Sequence, residues 1–497
     1  MAGVASLLVV AVGVWVISPR FALQPSLVDD WSAISKSPGQ VHDIFRFAYH
    51  DGGRFRPAFA VWNDIQWHTL GAPAGMVGPN VWNIARLSLL VTGLVALTLL
   101  LLSYRRPDLR GVDVLVLVAL PPLLVVTTPG FGVDLAAFGP QEPALVGGMA
   151  LGGTLLFLGA RELARSGTAG GRARIFGLLT TGYALWLYGV YQKESAVCVV
   201  LFIPFVALGS GRRLGQLKSL GRRRRLALAG IAAAVALPIV HVAVETIVIA
   251  SRGELVYGMH LQGGGSIEHF TRAIGSQMTF ALGSHIGWAL LYAVCAGILA
   301  AILRGRPDWA MTGFFVTGLG VIAWSAQSGF DASRYYIPTI ALLAVALGLL
   351  LSSFSTAPRW LAIGVVVGFA VASVSATRAR VVNWELTERD ENGFVAAVAD
   401  AKATGCPVVI TGLDIERTIA LPVLVALREG TPSTCSDGSL FLGYGSYHPD
   451  PALASICLPQ GRRLLKSVDL ALEHAVLIRC AGITPGKERL VARSQLS

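Results

Sequence analysis

The stretch VWNIARLSLLVTGLVALTLLLLSYRR, residues 81–106, decides the fold class. From Leu87 to Leu102 it contains no charged residue, and it ends on the basic pair Arg105 and Arg106. A helix needs roughly 20 apolar residues to cross a bilayer, and this run has that length. Similar runs recur along the chain and are continuous rather than alternating, which excludes a transmembrane β-barrel. The sequence therefore predicts a polytopic α-helical membrane protein.

The composition of the whole chain agrees with this prediction. Its 497 residues are 54% hydrophobic and 14% charged, whereas a soluble domain carries about a quarter charged residues. The first apolar run, GVASLLVVAVGVWVI at 3–17, has no basic residues before it and no small-residue cleavage site after it. We therefore expect a retained first span rather than a signal peptide. The net charge of +11 is concentrated in short loops such as 211–226, which favours cytoplasmic anchoring over nucleic-acid binding.

Arginine-rich connections alternate along the chain and predict its sidedness. We expect about eleven spans, centred near residues 10, 92, 120, 152, 182, 202, 238, 294, 318, 344 and 367. The arginine-rich connections are 105–110, 161–174, 212–225 and 304–306. The positive-inside rule places them in the cytoplasm, and places the intervening loops and the tail outside. The chain is thus predicted to be a multi-pass protein of the inner or plasma membrane.

The tail is predicted to be a separate extracytoplasmic domain at 377–497, following a transmembrane domain at 1–376. CPVVITGL at 406–413 and HAVLIRC at 474–480 predict strands, and 416–430 predicts a helix, so the tail reads as a small α/β domain. An even number of cysteines in an oxidising compartment indicates two disulfides of open connectivity. These cysteines are Cys406, Cys435, Cys457 and Cys480. The domain shows no phosphate-binding loop, zinc spacing or nucleophile elbow, so we expect a binding or packing module.

The unusual polar residues fall in the outer loops and at the outer ends of spans. The first outer loop carries the acidic pair Asp29 and Asp30 in LVDDWSAI, then His50, then Arg54 and Arg56 in GRFRP. Arginine forks suit phosphate oxygens, and the neighbouring apolar side chains suit a lipid tail. The alternative is an interfacial amphipathic segment whose arginines snorkel to the headgroups.

Two further pairs lie where outer connections meet spans. Gln141 and Glu142 precede a span in FGPQEPAL, where a carboxylate also suits a helix N-terminus without any function. Lys193 and Glu194 lie in YGVYQKESAV, with almost no loop between two spans. Charges there are costly unless they line a water-filled cavity or meet a charged ligand.

The last outer loop ends in SRYYIPTIALL, where Arg334 is a further candidate for an anionic headgroup. Tyr335 and Tyr336 are also typical of the aromatic belt at a membrane interface. The outer loop 251–286 carries three histidines, but their spacing does not match known metal sites. We expect an amphipathic segment lying on the membrane there.

The order of these motifs resembles polytopic glycosyltransferases of the GT-C class over residues 1–350. The acidic pair after the first span, the RFRPAFAVWND run into the second span, YQKESAV and SRYYIPTIALLAVALG carry the resemblance. It is nearest to the protein O-mannosyltransferase-like and TPR-bearing O-mannosyltransferase-like families. Arg86 stands where those families often have histidine, and no TPR repeats follow. The disulfide-bearing outer domain is similar to that of bacterial envelope arabinofuranosyltransferases, which implies an envelope glycan or glycolipid acceptor.

The resemblance implies inverting transfer of a sugar from a polyprenyl-phosphate donor to an acceptor hydroxyl of a glycan, glycolipid or protein. Asp29 or Asp30 would be the general base. The donor phosphate would be bound by Arg54, Arg56, Lys193 and Arg334. Acceptor or substrate contacts would come from His50, Gln141, Glu142, Glu194, Tyr335 and Tyr336. No resident cofactor is implied, although a divalent metal is compatible with the acidic pair. A lipid-linked-sugar transporter or flippase, a polymer ligase and a structural assembly protein remain alternatives.

Overall fold

The computed structural model describes most of the helical part of the chain and four short stretches of the tail. The described residues are 3–4, 6–8, 11, 55–59, 61, 81–109, 111–128, 142–165, 171–205, 208, 221–251, 271, 274–275, 278, 285–328, 336–375, 408–413, 440–443, 475–480 and 489–492. Within them, the part before residue 376 is almost entirely helical, and the tail stretches form a sheet.

Nine α-helices of eight or more residues and one 3₁₀ segment make up the described helical part. They are α1 (Val81–Arg105), α2 (Val112–Val126), α3 (Glu142–Arg165), α4 (Arg172–Val190), the 3₁₀ segment (Glu194–Phe202), α5 (Arg222–Ser251), α6 (His285–Leu303), α7 (Trp309–Ser328), α8 (Ile337–Ser352) and α9 (Thr356–Ser375). In this part of the chain, α1, α3, α5, α7 and α9 are long and apolar enough to cross a membrane. The chain is therefore a multi-pass helical membrane protein.

The predicted span centres from residue 92 onward all fall within these helices, the one near residue 202 lying at the end of the 3₁₀ segment. The centre near residue 10 falls where the structure describes only residues 3–4, 6–8 and 11, so the number eleven stays a prediction. The 3₁₀ geometry of Glu194–Phe202 was not expected, because such runs seldom exceed three or four residues.

Helices α1, α3 and α4 pack with their backbones in contact. A Cβ atom added at Gly152 of α3 would lie 2.5 Å from the backbone nitrogen of Trp186 in α4, and one at Gly93 of α1 would lie 2.6 Å from the carbonyl oxygen of Gly147. Small residues drive such approaches in a membrane, where association depends on van der Waals packing rather than on the hydrophobic effect. Glycine at these positions therefore fixes the three helices against one another.

The larger apolar core surrounds α8, which is buried along nearly its whole length. A helix that is hydrophobic on every side is typical of the interior of a bundle. The side chains of α1, α2, α6 and α7 pack against it. This core contains the fully buried Tyr336, which directly precedes α8.

Ion pairs and hydrogen bonds join the arginine-bearing ends of the helices. Arg105 of α1 pairs with Asp308 before α7, and Arg359 of α9 pairs with Asp113 of α2 at 2.9 Å. Further contacts are Arg106 to the Ser352 carbonyl, Arg224 to the Ala164 carbonyl, and Arg161 over the Tyr104 ring. The connections predicted to share the cytoplasmic side thus meet at one end of the bundle. Which side of the membrane this end faces remains a prediction.

The tail stretches form a four-stranded sheet of β1 (Val408–Leu413), β2 (Leu440–Gly443), β3 (Ala475–Cys480) and β4 (Arg489–Ala492), in the order β2-β1-β3-β4. Strand β1 is parallel to β2 and antiparallel to β3, and β3 is antiparallel to β4. The strands predicted in 406–413 and 474–480 are confirmed. A parallel pair needs a crossover connection, and the predicted helix 416–430 lies in that connection, outside the described residues. Cys406, Cys435 and Cys457 also lie outside them, so the two disulfides remain predictions.

Candidate functional site

A cluster of buried charges lies at the end of the bundle opposite the arginine-bearing end. Helices α3 and α4 are antiparallel, since Gly148 packs on Gly189 and Gly152 packs on Trp186. The start of α3 therefore lies beside the segment that follows α4. There Lys193 Nζ donates a hydrogen bond to Glu142 Oε1. The helix dipoles favour this placement, because a carboxylate is stabilised at a helix N-terminus and a cation near a C-terminus.

A second ion pair adjoins the first along the chain. Arg56 donates to Glu194 through both Nε and Nη2, at 2.8 Å and 2.9 Å, in a bidentate geometry. The backbone N–H of Ala58 donates to the carbonyl of Tyr191 at 3.3 Å. These contacts attach the segment around Arg56 to the segment that follows α4.

All four charged side chains are buried: Arg56 is 9% exposed, Glu142 2%, Lys193 7% and Glu194 2%. Burial costs several kcal/mol per ion, and apolar replacements of a buried pair are often neutral or stabilising. Stability alone therefore does not explain two adjacent buried pairs. Ionisable groups at membrane-helix ends that are paired in this way are typical of a functional site.

Gln192 and Ser195 flank the two charged residues Lys193 and Glu194. They are 1% and 6% exposed, and neither Gln192 Nε2 nor Ser195 Oγ has a hydrogen-bond partner within the described part of the chain. Sequence reasoning missed both. The signal was present, because QKES places four consecutive polar residues between apolar helices, but the charged members alone attracted attention.

An aromatic and histidine contact attaches α5 to this end of the bundle. Tyr191 Oη lies 2.9 Å from His241 Nδ1, and the rings of Phe55 and His241 are 4.9 Å apart. His241 Nε2 faces Glu245 Oε1 at 3.6 Å, one helical turn along α5. Sequence reasoning missed this contact too, although a histidine followed four residues later by glutamate inside an apolar helix was the available signal.

Arg86 adds a further buried cation at this end. It is 3% exposed, it lies one turn before the α1 residues that pack on Gly147, and it interacts electrostatically with Tyr188 near the end of α4. In the sequence, Arg86 is a departure from a family pattern and was not among the predicted site residues.

The structure brings together four of the predicted site residues, Arg56, Glu142, Lys193 and Glu194, from three separate parts of the chain. It also pairs two of the four predicted phosphate-binding cations, Arg56 and Lys193, with carboxylates. Tyr336 is fully buried in the larger apolar core, directly before α8. The other predicted site residues lie outside the described residues: Asp29, Asp30, His50, Arg54, Gln141, Arg334 and Tyr335. Within the described part, no three His, Cys, Asp or Glu side chains are grouped to hold a metal ion.

Comparison with known proteins gives one structural similarity. No family model and no curated protein matches the chain. The crystal structure of ArnT from Cupriavidus metallidurans in the apo state is similar at 15% sequence identity and a TM-score of 0.48, over 88% of this chain and 85% of that one. A likeness of this size assigns neither a family nor an activity to the chain.

Proposed function

We propose that this protein is a GT-C-type glycosyltransferase that moves a sugar from a polyprenyl-phosphate donor to an acceptor hydroxyl at the outer face of the membrane. The observation that carries the proposal is the pair of buried ion pairs, Lys193–Glu142 and Arg56–Glu194, at the end of the bundle away from the arginine-bearing end. A membrane-embedded donor with an anionic phosphate fits such a site, because cations and apolar surface lie together there.

The chemistry requires a base and a group that stabilises the leaving phosphate. The acceptor oxygen bonds to the anomeric carbon as the bond from that carbon to the phosphate oxygen breaks, and the lipid phosphate leaves with the bonding electron pair. Asp29 or Asp30 takes the proton of the acceptor hydroxyl. A single displacement of this kind inverts the anomeric centre. The acidic pair is assigned from its place in the sequence, directly after the first predicted span.

The ion pairs supply a positioned set of cations. The Lys193 ammonium has three N–H donors, of which one is directed to Glu142. The bidentate contact with Glu194 fixes the plane of the Arg56 guanidinium. Glu142 and Glu194 thus hold Lys193 and Arg56 in place for the phosphate. The two cations stabilise the negative charge that develops on the phosphate during transfer. Arg54 and Arg334 are proposed to complete the phosphate site, and His50, Gln141 and Tyr335 to contact the acceptor.

The interior of the bundle favours a transferase over a transporter. A transporter needs polar groups along a path between the two membrane faces. Among the described residues, the buried Thr154 of α3 and Thr317 of α7 each donate a hydroxyl to a carbonyl of their own helix, at 2.7 Å and 2.8 Å. The buried Thr98 of α1 is neutral and lies alone in its helix turn, without a charged neighbour in an ion pair among the described residues. The central helix α8 is apolar. Within the described part of the chain, the ion pairs that join different segments lie at the two ends of the bundle.

The test is sugar transfer by purified protein reconstituted in liposomes, with a panel of radiolabelled polyprenyl-phosphate monosaccharides as donors and envelope glycan, glycolipid and protein fractions as acceptors. Asp29→Asn, Asp30→Asn and Lys193→Met are compared with Asp108→Asn, which alters a carboxylate at the arginine-bearing end. We expect Lys193→Met and one of the aspartate variants to lose about 10²-fold or more in rate, and Asp108→Asn to keep wild-type rates. Full activity in both aspartate variants would remove the carboxylate-base mechanism, and absence of transfer by the wild type from every donor would refute the proposed function.

A further inference from the structure

Two buried neutral polar side chains flank the charged residues Lys193 and Glu194 in the sequence. Gln192 is 1% exposed and Ser195 6%, and Gln192 Nε2 and Ser195 Oγ have no hydrogen-bond partner within the described part of the chain. Buried polar groups in native proteins are nearly always hydrogen-bonded, since an unpaired one is destabilising. Two such groups within four residues, next to two buried ion pairs, indicate a ligand that completes their hydrogen bonds.

The chemistry of the two groups defines that ligand. The Gln192 amide nitrogen carries two N–H donors, and the Ser195 hydroxyl donates one hydrogen bond and accepts others. Both groups are neutral, whereas the cation between them, Lys193, is held by the Glu142 carboxylate. A ligand with neutral oxygens that both accept and donate hydrogen bonds satisfies this pair. Sugar hydroxyls have these properties.

We infer that Gln192 and Ser195 bind hydroxyl groups of the sugar carried by the lipid-linked donor and thereby select which sugar is transferred. The inference rests on the proposed function. In a glycosyl phosphate the sugar is joined directly to the phosphate, so a phosphate at Lys193 places the sugar beside the residues that flank it. A site built to hydrogen-bond a substrate hydroxyl rejects analogues without that hydroxyl much more strongly than an apolar pocket discriminates by size.

The first test is stability without ligand, measured on Gln192→Met and Ser195→Ala. Both changes remove a polar group that has no hydrogen-bond partner among the described residues and keep roughly its volume. We expect the midpoint of thermal unfolding in lipid-supplemented detergent to stay at the wild-type value or to rise. A fall in the midpoint for both variants would show that the two groups serve the fold, and would overturn the inference.

The second test is binding of defined probes, measured by ligand-dependent shifts of the unfolding midpoint. The probes are farnesyl phosphate and a panel of farnesyl-phosphate monosaccharides. We expect the wild type to bind at least one glycosylated probe more tightly than farnesyl phosphate. Each variant should lose roughly tenfold in affinity for that probe and keep its affinity for farnesyl phosphate. Equal losses for both probes would show that the pair binds the phosphate and would overturn the sugar assignment.

A matched control exists in α1. Thr98 is also fully buried, and its Oγ1 has no partner within the described part of the chain, but it lies about three turns from Arg86 along the helix. Thr98→Val should leave the affinity for every probe unchanged. An equal loss of sugar affinity in Thr98→Val would show a general effect of removing buried hydroxyls and would overturn the inference.

Transfer assays separate failure of this inference from failure of the proposed function. If the wild type transfers a sugar, monodeoxy analogues of that donor should react more slowly than the donor itself. For at least one analogue, this difference in rate, the deoxy penalty, should shrink towards onefold in Gln192→Met or Ser195→Ala. Transfer with unchanged penalties in both variants overturns the inference and leaves the proposed function standing. If the wild type neither binds nor transfers any glycosylated probe, both fail together.

Discussion

The bidentate pair of Arg56 and Glu194 offers a test of whether the cluster serves function or stability. Both residues are buried, Arg56 at 9% and Glu194 at 2% exposure, and two hydrogen bonds of 2.8 Å and 2.9 Å join them. Removing one partner of such a pair leaves an uncompensated buried charge. We expect Glu194→Leu and Arg56→Met each to lower the free energy of unfolding by about 3–5 kcal/mol.

The double variant, Arg56→Met with Glu194→Leu, should lose much less free energy of unfolding than the two single variants lose together. With both charges replaced by apolar side chains, neither member of this pair is left without the other, so we expect the free energy of unfolding to lie within about 1 kcal/mol of the wild-type value. Additive behaviour would instead give a loss of about 6–10 kcal/mol, twice the single-variant cost. Reversible unfolding by dodecyl sulfate in mixed micelles, followed by circular dichroism, measures all four proteins.

Activity then separates the two roles. The folded double variant should have lost sugar transfer, because the positioned cation is gone. The control is the pair of the buried Arg359 and the half-buried Asp113 at the other end of the bundle, joined at 2.9 Å. Its double variant, Arg359→Met with Asp113→Leu, should be folded and keep transfer. Additive losses at Arg56 and Glu194, or full transfer by their double variant, would refute the reasoning.

Three further predictions concern other parts of the chain. Gly152→Ala should lower the unfolding midpoint strongly, because its Cβ would meet backbone atoms of α4 at 2.5 Å, whereas Gly153→Ala, with its nearest contact at 3.6 Å, should not. Arg106 donates hydrogen bonds to Asp108 and lowers the pKa of that carboxyl to about 2. The contribution of this pair to stability is therefore complete above pH 3.8 and is lost as the pH falls towards 2. Infrared difference titration of the wild type against Asp108→Asn should show that the Asp108 carboxylate is still ionised at pH 3. A titration midpoint near 3.8 would contradict this prediction. Maleimide labelling of intact cells should modify the tail cysteines only after reduction, and labelling beforehand would exclude the disulfides at Cys406, Cys435, Cys457 and Cys480.

The helices were predictable because their signal is local. The length of an uninterrupted apolar run such as 87–102 indicates the length of the helix, and the arginines that follow the run mark the end of the helix. The strands β1 and β3 were predictable for a similar reason, since short runs rich in valine and isoleucine are typical of strands. Close packing of α1, α3 and α4 was not predictable, because a glycine in a membrane helix does not reveal which neighbour it faces.

The candidate site was predictable as a set of residues and not as a set of pairs. Lys193 and Glu194 were conspicuous because charge at a span end is costly. Their partners could not be read from the sequence, since Glu142 is 51 positions from Lys193 and Arg56 is 138 positions from Glu194. Gln192 and Ser195 were missed because the free-energy cost of a neutral polar residue depends on its burial and its hydrogen-bond partners, which the sequence does not show.

The backbone contacts among α1, α3 and α4 have a consequence for genetics. At Gly152 a new methyl group would meet the main chain of Trp186, and at Gly93 that of Gly147. Every residue type carries the same main chain, so no exchange at the facing position can make room for the methyl group. Selection for second-site suppressors of Gly152→Ala should therefore return true revertants or distant stabilising changes, whereas a lesion that touches a facing side chain, such as Gly159→Ala against Leu179, should be rescued by trimming that neighbour.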